Sequence, residues 1–372
     1  MVDLKGQYDK IKDQVNSSIM EVLETTAFIN GPEVQKFQKE LEQYLDVKHV
    51  IPCANGTDAL QIAMMGLGLK PGDEVITADF TFAATVEVIA LLQLTPVLVD
   101  VTSDTFNIDP EAVRQAITPR TRAIVPVHLF GQPADMDAIM QIAEEHNLFV
   151  IEDNAQAIGA NYHFADGSTK KAGAIGHAAS TSFFPSKNLG CFGDGGAIFT
   201  NDDELAHSLR GIVNHGMYER YHHDVVGVNS RLDSIQAAVL RAKLPELDQY
   251  NSARKTAAAK YSAAFEGQKY IQTPVVSGAE DTHVFHQYTL QVKNGKRDAL
   301  VQHLNEKAIP CGIYYPIPLH SQKAYADERY REEDFPVTNR LVEEVIALPM
   351  HTELDDEQID YITSTIIDFI NG

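Results

Sequence analysis

The stretch TSFFPSKNLGCFGDGGAIFT, residues 181–200, carries the strongest signal in the chain. A strand-like apolar run, residues 179–184, leads into it, and a second run, residues 196–200, leads out. Between them, Lys187 lies on a predicted short, glycine-rich turn, where a side chain has little packing to do. A buried or electropositive setting would lower the pKa of this amine and make it a nucleophile. The stretch alone leaves open an ordinary surface lysine on a β-hairpin.

Upstream of this stretch, short apolar runs alternate with helical patterns. The predicted strands are 49–54, 74–79, 95–101, 123–129 and 148–153, and the helices between them are 57–68, 83–93, 110–117 and 135–146. Such alternation is typical of a mostly parallel sheet covered by helices on both faces. Together with the two strands around Lys187, it predicts an α/β fold with a seven-stranded, mostly parallel sheet.

The remaining patterns predict a second, smaller domain. Helices are predicted at 5–24, 33–44, 203–212, 231–266, 297–307, 337–345 and 355–370, and strands at 285–292 and 311–314. We predict a larger domain over residues 1–245 and a smaller α+β domain over residues 246–372, connected by the long helix 231–266. The polar loop 214–230 is predicted to be mobile or used at an interface.

Composition excludes several functional classes. The formal net charge of -22 argues against nucleic acid and against an anionic membrane surface as partners. No run approaches the roughly 20 apolar residues of a membrane span, and the charged N-terminus has no signal-peptide core. The three cysteines are widely spaced and predict neither a disulfide framework nor a metal site. We therefore expect a cytoplasmic protein.

The first predicted strand is followed by Asn55-Gly56-Thr57-Asp58, which opens a helix. The start of a helix presents free N–H groups and partial positive charge, and Gly56 would allow the backbone to approach a phosphate closely. The same residues are also typical of a plain helix cap without a ligand. Both interpretations stay open at this level.

Other strand ends carry an aromatic ring and a carboxylate. Phe82 is either a core residue or a flat surface for a ring to stack on. Asp153 follows an apolar run, where a carboxylate is costly without a partner. A structural ion pair, a backbone cap or a protonated pyridine nitrogen would satisfy it. With the hydroxyl of Ser182 and the amine of Lys187, these groups match what a pyridoxal phosphate site requires.

The sequence resembles the DegT/DnrJ/EryC1/StrS family of sugar aminotransferases over nearly its whole length. The matching segments are NGTDAL (55–60), PGDEVI (71–76), FTFAAT (80–85), TPRTRAIVPVHLFGQPADMDAI (118–139), IEDNAQAIGA (151–160), SFFPSKNLGCFGDGGAIFTND (182–202), HHDVVGVNSRLDSIQAAVL (222–240) and YYPIPLH (314–320). The resemblance implies the aspartate aminotransferase-like fold, fold type I, and a homodimer whose active sites are shared between subunits.

The resemblance also implies a role for each cofactor-binding residue. Lys187 is expected to be the Schiff-base lysine, Asp153 the partner of the pyridine nitrogen, Gln156 the partner of the phenolic oxygen, and Phe82 the stacking ring. The phosphate is expected to be held by Gly56, Thr57 and Ser182, and by Asn229 contributed by the other subunit.

For the substrate, the resemblance implies a nucleotide-linked keto sugar, with L-glutamate as amino donor. Arg231, Tyr314 and Tyr315 are expected to face the sugar, and Arg231 is the candidate for gripping a carboxylate bidentately. The sequence resembles enzymes that aminate C3 of UDP-2-acetamido-2-deoxy-3-oxo-D-glucuronic acid for surface polysaccharide synthesis. It departs from them at Tyr314, where these enzymes carry histidine.

Three alternatives remain at the level of sequence. The first is amination of a dTDP-3-oxo-6-deoxyhexose, the second is a non-catalytic regulatory relative, and the third is amino-acid transamination without a sugar. The acidic charge and the lack of a DNA-binding segment outside the two predicted domains argue against a regulator that binds DNA.

Overall fold

A computed structural model describes residues 1–372. The strands are β1 His49–Cys53, β2 Glu74–Ala78, β3 Thr95–Val99, β4 Thr121–Val125, β5 Phe149–Asp153, β6 Asn161–His163, β7 Thr169–Lys171, β8 Ala178–Ser182, β9 Gly196–Thr200, β10 Met217–Glu219, β11 His222–His223, β12 Ile271–Gln272, β13 Tyr288–Val292 and β14 Val345–Leu348. The helices are α1 Leu4–Thr25, α2 Pro32–Leu45, α3 Gly56–Gly66, α4 Ala84–Leu91, α5 Pro110–Ala116, α6 Met136–His146, α7 Asp203–Ile212, α8 Ser234–Lys243, α9 Leu247–Ala264, α10 Arg297–Glu306, α11 Pro336–Glu344 and α12 Asp356–Asn371.

The main sheet has seven strands in the order β1-β9-β8-β5-β4-β2-β3. All neighbours run parallel except β9, which is antiparallel to both β1 and β8. The predicted seven-stranded, mostly parallel α/β sheet is therefore confirmed. Because β1, β2, β4, β5 and β8 run in the same direction, their carboxyl ends lie along one edge, where ligands bind in open α/β sheets.

The central strands are apolar because helices cover both of their faces. In β2, Val75 and Ile76 are both fully buried but belong to different core clusters. Val150 and Ile151 of β5 divide between the same two clusters. Successive strand residues point to opposite faces, so both faces of the sheet are packed against apolar side chains.

The segment that carries Lys187 is longer than the short turn we predicted. Strand β8 ends at Ser182 instead of 184, and residues 183–195 form a compact loop before β9. Its backbone folds back on itself, since Cys191 N donates to Phe183 O at 2.8 Å and Lys187 N donates to Phe184 O at 2.8 Å. The loop therefore holds Lys187 through its own hydrogen bonds.

The smaller layer is an antiparallel sheet, β12-β13-β14, packed against helices α9, α10 and α12. The predicted strand 311–314 is wrong, because only an isolated bridge between Gly312 and Ala347 forms there. Strand β14, which was not predicted, begins directly after α11 and pairs with β13. The strand predicted at 285–292 begins only at Tyr288.

The predicted long helix 231–266 is interrupted. A 3-10 turn at Leu244–Glu246 separates α8 from α9. Pro245 lies in this turn, and proline cannot supply the N–H that a continuous helix needs. The domain limits 1–245 and 246–372 stay a prediction. None of the helices combines the length and the apolar character that crossing a membrane requires.

Candidate active site

The site residues meet at the carboxyl edge of the main sheet. Asn55 follows β1, Phe82 lies just beyond β2, Asp153 ends β5, and Ser182 ends β8. The loop after β8 adds Lys187. Residues from distant parts of the chain are therefore brought to one edge, as the parallel topology requires.

Lys187 is only partly exposed to solvent. We call the space bounded by the side chains of Lys187, Asp153, Phe82 and Tyr315 the recess. Burial lowers the pKa of its ammonium to about 8, and the negative charge of Asp153 opposes part of this shift. Its Nζ makes no hydrogen bond or ion pair that would hold it in the charged form. These features differ from those of an ordinary solvated surface lysine, and the amine loses its proton more readily than that of a free lysine.

Asp153 is buried, with 6% of its surface exposed, and forms no ion pair within the chain. One carboxylate oxygen accepts a hydrogen bond from Thr85 Oγ1 at 2.8 Å, and the other accepts one from Ala155 N at 3.2 Å. The alternative of a structural ion pair is wrong. The carboxylate is oriented by two neutral donors and keeps acceptor capacity for a cationic group.

The start of α3 forms a cradle for an anion. Asn55 Oδ1 accepts a hydrogen bond from Asp58 N at 2.8 Å, which leaves the N–H groups of Gly56 and Thr57 without an intrahelical partner. Ser182 Oγ accepts a hydrogen bond from Phe184 N at 3.3 Å, so its own hydrogen is free to donate. These donors converge where the helix end adds partial positive charge.

The close approach of α3 to β8 depends on glycine. A Cβ at Gly56 would lie 2.7 Å from Ser182 Cβ, and a Cβ at Gly196 would lie 2.4 Å from the carbonyl of Asn55. Neither distance is tolerated by real side chains. The two glycines therefore let the helix start lie against the strand end.

Phe82 is a surface of the recess and not part of the core. Its side chain is 58% exposed, whereas its neighbour Phe80 is 1% exposed and packs in the core. The Phe82 ring lies 6.3 Å from the ring of Tyr315, at an angle of 39°. The core interpretation of Phe82 is therefore wrong, and its exposed face is available to a planar ligand.

Gln156 connects two walls of the recess. Its Oε1 accepts a hydrogen bond from Phe130 N at 2.6 Å, and its Nε2 donates to the Tyr315 hydroxyl at 3.2 Å. One N–H of the amide stays free for a ligand. Burial and the charge of Asp153 raise the pKa of Tyr315, so its phenol is neutral in the working pH range. Tyr314 is partly exposed, with its ring 6.2 Å from that of Tyr315.

Asn229 and Arg231 form no hydrogen bond with Lys187 and instead contact the segment that contains Asn214. The backbone of exposed Asn229 pairs with Asn214, and Arg231 Nη1 donates to Asn214 Oδ1 at 3.1 Å. Arg231 lines a separate cavity of about 260 Å³, together with Arg210 and residues of α2 and β1.

Sequence reasoning missed several residues of the site. Thr85, on α4, orients Asp153. Asn188 donates to Asn251 Oδ1 at 2.7 Å, and its own Oδ1 lies 3.3 Å from Nδ1 of His286. Burial and the nearby charge of Lys187 hold the pKa of His286 well below its usual range, so that ring is neutral. Only the tertiary fold joins these residues, although Thr85 and Asn188 lie in the matching segments 80–85 and 182–202.

Comparison with known proteins identifies this arrangement. Residues 9–367 match the model of the DegT/DnrJ/EryC1/StrS aminotransferase family. The chain is 46% identical to a UDP-2-acetamido-2-deoxy-3-oxo-D-glucuronate aminotransferase of Pseudomonas aeruginosa, covering 98% of each. It is 46% identical to a "pleiotropic regulatory protein" of Geobacillus stearothermophilus, covering 99% of this chain and 98% of that one. It is also 41% identical to a dTDP-3-amino-3,4,6-trideoxy-alpha-D-glucose transaminase of Streptomyces venezuelae, covering 96% and 92%.

Solved structures agree with the sequence relatives. DesV of S. venezuelae superimposes with a TM-score of 0.94 at 40% identity, covering 100% of this chain and 98% of that one. NtdA of Bacillus subtilis, with bound PMP, gives 0.90 at 32% identity, covering 98% and 82%. The PLP form of a sugar aminotransferase, Spr1654 of Streptococcus pneumoniae, gives 0.88 at 25% identity, covering 96% of each. The relatives therefore include structures that hold each form of the cofactor.

The residues of the recess fit pyridoxal phosphate. The free N–H groups of Gly56 and Thr57, with the Ser182 hydroxyl, suit a phosphate. The amine of Lys187 suits an aldehyde, and the carboxylate of Asp153 suits a protonated ring nitrogen. No cluster of three or more His, Cys, Asp or Glu side chains is placed to hold a metal ion. The donor set thus matches this cofactor group by group.

The lowered pKa of Lys187 predicts how cofactor loading depends on pH. Only the neutral amine attacks an aldehyde, and with a pKa of about 8 the neutral fraction rises about tenfold between pH 7 and pH 9. We expect the rate at which the apoprotein takes up pyridoxal phosphate to rise by that factor and to level off above pH 9. Stopped-flow absorbance of the cofactor measures it.

The control for this profile is Asp153→Asn. Removing the negative charge that raises the pKa of Lys187 should move the midpoint of the profile to lower pH. A wild-type midpoint near 10.5, the value of a free lysine, would contradict the assignment of a buried, readily deprotonated amine.

Proposed function

Because the chain belongs to the DegT/DnrJ/EryC1/StrS aminotransferase family, we propose that Lys187 and Asp153 perform the chemistry of a pyridoxal phosphate-dependent aminotransferase of keto nucleotide sugars. The proposed reaction moves the amino group of L-glutamate to C3 of UDP-2-acetamido-2-deoxy-3-oxo-D-glucuronic acid, for surface polysaccharide synthesis. The observation that supports it is the proximity of two groups in the recess: an amine of lowered pKa and the carboxylate whose charge acts on it.

Each residue then has a defined task. Pyridoxal phosphate, when bound, supplies an electron sink that stabilises negative charge on the substrate carbon bearing the amine. Lys187 Nζ would hold the cofactor covalently at rest, and once the amino group of glutamate had taken its place, the freed amine would remove the proton from Cα of glutamate and later deliver a proton to the sugar carbon that receives the nitrogen. Asp153 would accept a hydrogen bond from the protonated ring nitrogen, and Thr85 orients its carboxylate. Phe82 provides the stacking face.

The choice of sugar is supported by the relatives and by the acceptor side of the recess. The P. aeruginosa relative named for the UDP-uronate is 46% identical, against 41% for the S. venezuelae relative named for a dTDP sugar. Arg231 is the proposed partner of the uronate carboxylate, reached across the subunit interface, because a guanidinium binds a carboxylate through two hydrogen bonds. Tyr314 and Tyr315 are the proposed contacts to the sugar ring.

A panel of acceptors tests this choice. Purified enzyme is given ¹⁵N-glutamate and, one at a time, 3-oxo and 4-oxo sugars linked to UDP or dTDP, and ¹⁵N in the sugar is measured by mass spectrometry. We expect the UDP-3-oxo-uronate to be the best acceptor. Faster transfer to a dTDP-3-oxo-6-deoxyhexose would contradict the proposed substrate but would still support a sugar aminotransferase.

A second candidate, a regulator without catalysis, is favoured only by the name of the G. stearothermophilus relative. The lowered pKa of Lys187 argues against it, since a regulator has no need of a readily deprotonated amine in a recess. A purified protein that takes up no pyridoxal phosphate and transfers no nitrogen from glutamate would favour the regulator.

We also propose that the active enzyme is a homodimer in which Asn229 reaches the phosphate of the partner's cofactor. Asn229→Ala should weaken cofactor binding, because the phosphate loses a donor. Mixed dimers of Asn229→Ala with Lys187→Ala should regain activity, since one of their two sites combines an intact Lys187 with an intact Asn229. Co-expression with two different tags isolates these mixed dimers.

The complementation experiment has a clear opposite outcome. If each chain formed its whole site alone, every site in the mixed dimer would carry one defect, and activity would stay at the level of the two parent variants. Pairing Lys187→Ala with Asp153→Asn is the matched control, because both residues belong to the same chain's site and no intact site can form.

A further inference from the structure

The segment that carries Tyr314 and Tyr315 is attached to the main sheet by a buried pair. Asp79, directly after β2, is fully buried, and its two carboxylate oxygens accept hydrogen bonds from N and Nδ1 of His320, each at 2.7 Å. The carbonyl of Asp79 also accepts from Leu319 N at 3.3 Å. Three bonds therefore join one strand end to residues 319–320.

One other charge lies near this pair, since Glu332 Oε2 is 3.5 Å from Nε2 of His320, but the Glu332 side chain is exposed to solvent. A carboxylate buried without partners is costly, and here both of its partners belong to one residue. His320 is buried, with 7% of the residue's surface exposed. Its ring stacks on Phe335, with 4.4 Å between ring centroids and 10° between planes. The geometry leaves the ring one orientation, with Nδ1 donating to the carboxylate.

A second strand-end carboxylate holds the chain further on. Asp100, after β3, accepts hydrogen bonds from Val337 N at 2.8 Å, Thr338 N at 2.9 Å and Thr338 Oγ1 at 2.7 Å. Strands β2 and β3 are paired neighbours, with Ala78 opposite Val99. Adjacent strand ends thus hold the two ends of residues 319–338, which we call the edge segment.

The edge segment covers the exposed edge of the sheet. Strand β3 is the last strand on its side, and an unpaired edge is a liability. The Tyr330 hydroxyl accepts a hydrogen bond from Leu98 N and donates to Pro96 O, both at 2.9 Å. This gives the Asp100 end a structural purpose. The other end of the edge segment, held by Asp79, lies next to the candidate active site.

Residues 314–318, which we call the substrate segment, lead directly into His320. At its start, Tyr315 meets Gln156 and Phe82 in the recess. Pro316 and Ile317 are exposed, so they add little packing to hold the segment in place. Its far end is fixed by the Asp79–His320 pair. The two tyrosines also pack against the main core, and the Gly312–Ala347 bridge holds the chain just before them. The Asp79–His320 pair is the contact outside the recess that fixes the chain just after them.

We propose that Asp79 and His320 are positioning residues for the nucleotide sugar, which hold the substrate segment and its two tyrosines against the recess. This inference rests on the proposed function, in which Tyr314 and Tyr315 contact the sugar. Lys187 and Asp153 are held by other elements, the loop 183–195 and strand β5. The pair therefore serves the sugar half of the reaction and leaves the glutamate half alone.

The test is His320→Phe, which keeps the stacking on Phe335 and removes the side-chain hydrogen bond to Asp79. We expect KM for the sugar to rise about tenfold, as for loss of one buried charge-assisted hydrogen bond. The rate of the glutamate half-reaction, followed by cofactor absorbance, should change less than about twofold. Equal loss in both half-reactions, or an unchanged KM, would overturn the proposal.

Two further variants separate positioning from general stability. In Asp79→Asn, the amide can still accept from His320 N and can donate to Nδ1 once the imidazole takes its other tautomer, so KM should stay near the wild-type value. Thr338→Val removes a hydrogen bond of the same kind at the far end of the edge segment. It should lower the melting temperature without raising KM for the sugar. A raised KM in Thr338→Val would overturn the assignment to the Asp79 end.

Hydrogen–deuterium exchange measures how firmly the substrate segment is held, and it does not require the enzyme to turn over a substrate. His320→Phe should speed exchange at residues 313–318 while the strands around Asp153 stay protected. Unchanged exchange in the substrate segment would overturn the proposal whatever the enzyme's substrate. If exchange rises but no nucleotide sugar is aminated by the wild type, the positioning stands and the proposed function fails.

Discussion

Lys187→Ala should lower amino transfer by about 10⁴-fold or more, because the variant loses both the covalent attachment of the cofactor and the base that moves the proton. The side chain lies in a recess on a loop that holds its own shape through Phe183, Phe184 and Cys191. Its Nζ forms no hydrogen bond or ion pair, so its removal leaves no buried polar group without a partner. We therefore expect the fold and the subunit association to persist. Single-turnover absorbance with glutamate measures the loss.

Lys187→Arg is the matched control for this variant. It keeps a positive charge near Asp153 and a long side chain, but a guanidinium stays protonated and is neither a nucleophile nor a base here. We expect it to be as inactive as the alanine variant. Recovery of activity by arginine would mean that charge matters at this position and that the amine chemistry lies elsewhere.

Asp153→Asn should lower the rate by about 10²- to 10³-fold, which is the typical cost of removing one preorganised electrostatic group from an enclosed site. The Oδ1 of asparagine can still accept from Ala155 N, and its Nδ2 can donate to Thr85 Oγ1, which then acts as acceptor, so the shape of the site should persist. The neutral amide no longer holds a proton on the ring nitrogen, and the electron sink weakens. Cofactor binding is therefore expected to survive while the proton-removal step slows.

Thr85→Val separates orientation from charge. It deletes the hydroxyl that donates to Asp153 at 2.8 Å and leaves the carboxylate and its bond to Ala155 N in place. We expect the rate of amino transfer to fall about tenfold, which corresponds to the free energy of one neutral hydrogen bond in an enclosed site. Rates for Asp153→Asn within a few-fold of the wild type would contradict the role of the carboxylate. A loss in Thr85→Val as large as in Asp153→Asn would assign the effect to orientation.

The main sheet could be predicted from the sequence because its strands are short apolar runs separated by helical patterns. Each run of β2 or β5 is buried on both faces, so its composition alone indicates a strand. Strand β14 escaped prediction because Val345–Leu348 continues directly from α11, with no turn residues between them. The break between α8 and α9 was missed although Pro245 was present.

The site was predictable where its residues stand at strand ends. Lys187, Asp153 and Ser182 could be found because the carboxyl ends of parallel strands must meet. Phe82 could not be separated from Phe80 by residue type, since both are phenylalanine and only their burial differs. Thr85 and His286 carry no local signal, because their partners lie far away in sequence.

Covalent labelling of the cofactor site tests whether Lys187 is the reacting amine. The protein loaded with pyridoxal phosphate is reduced with borohydride, digested, and analysed by peptide mass spectrometry. We predict a single pyridoxyl group, on Lys187, in the peptide that contains SFFPSKNLG, and its loss when the protein is first treated with glutamate. Labelling of another lysine, or no labelling of a protein that still aminates a nucleotide sugar, would contradict the account.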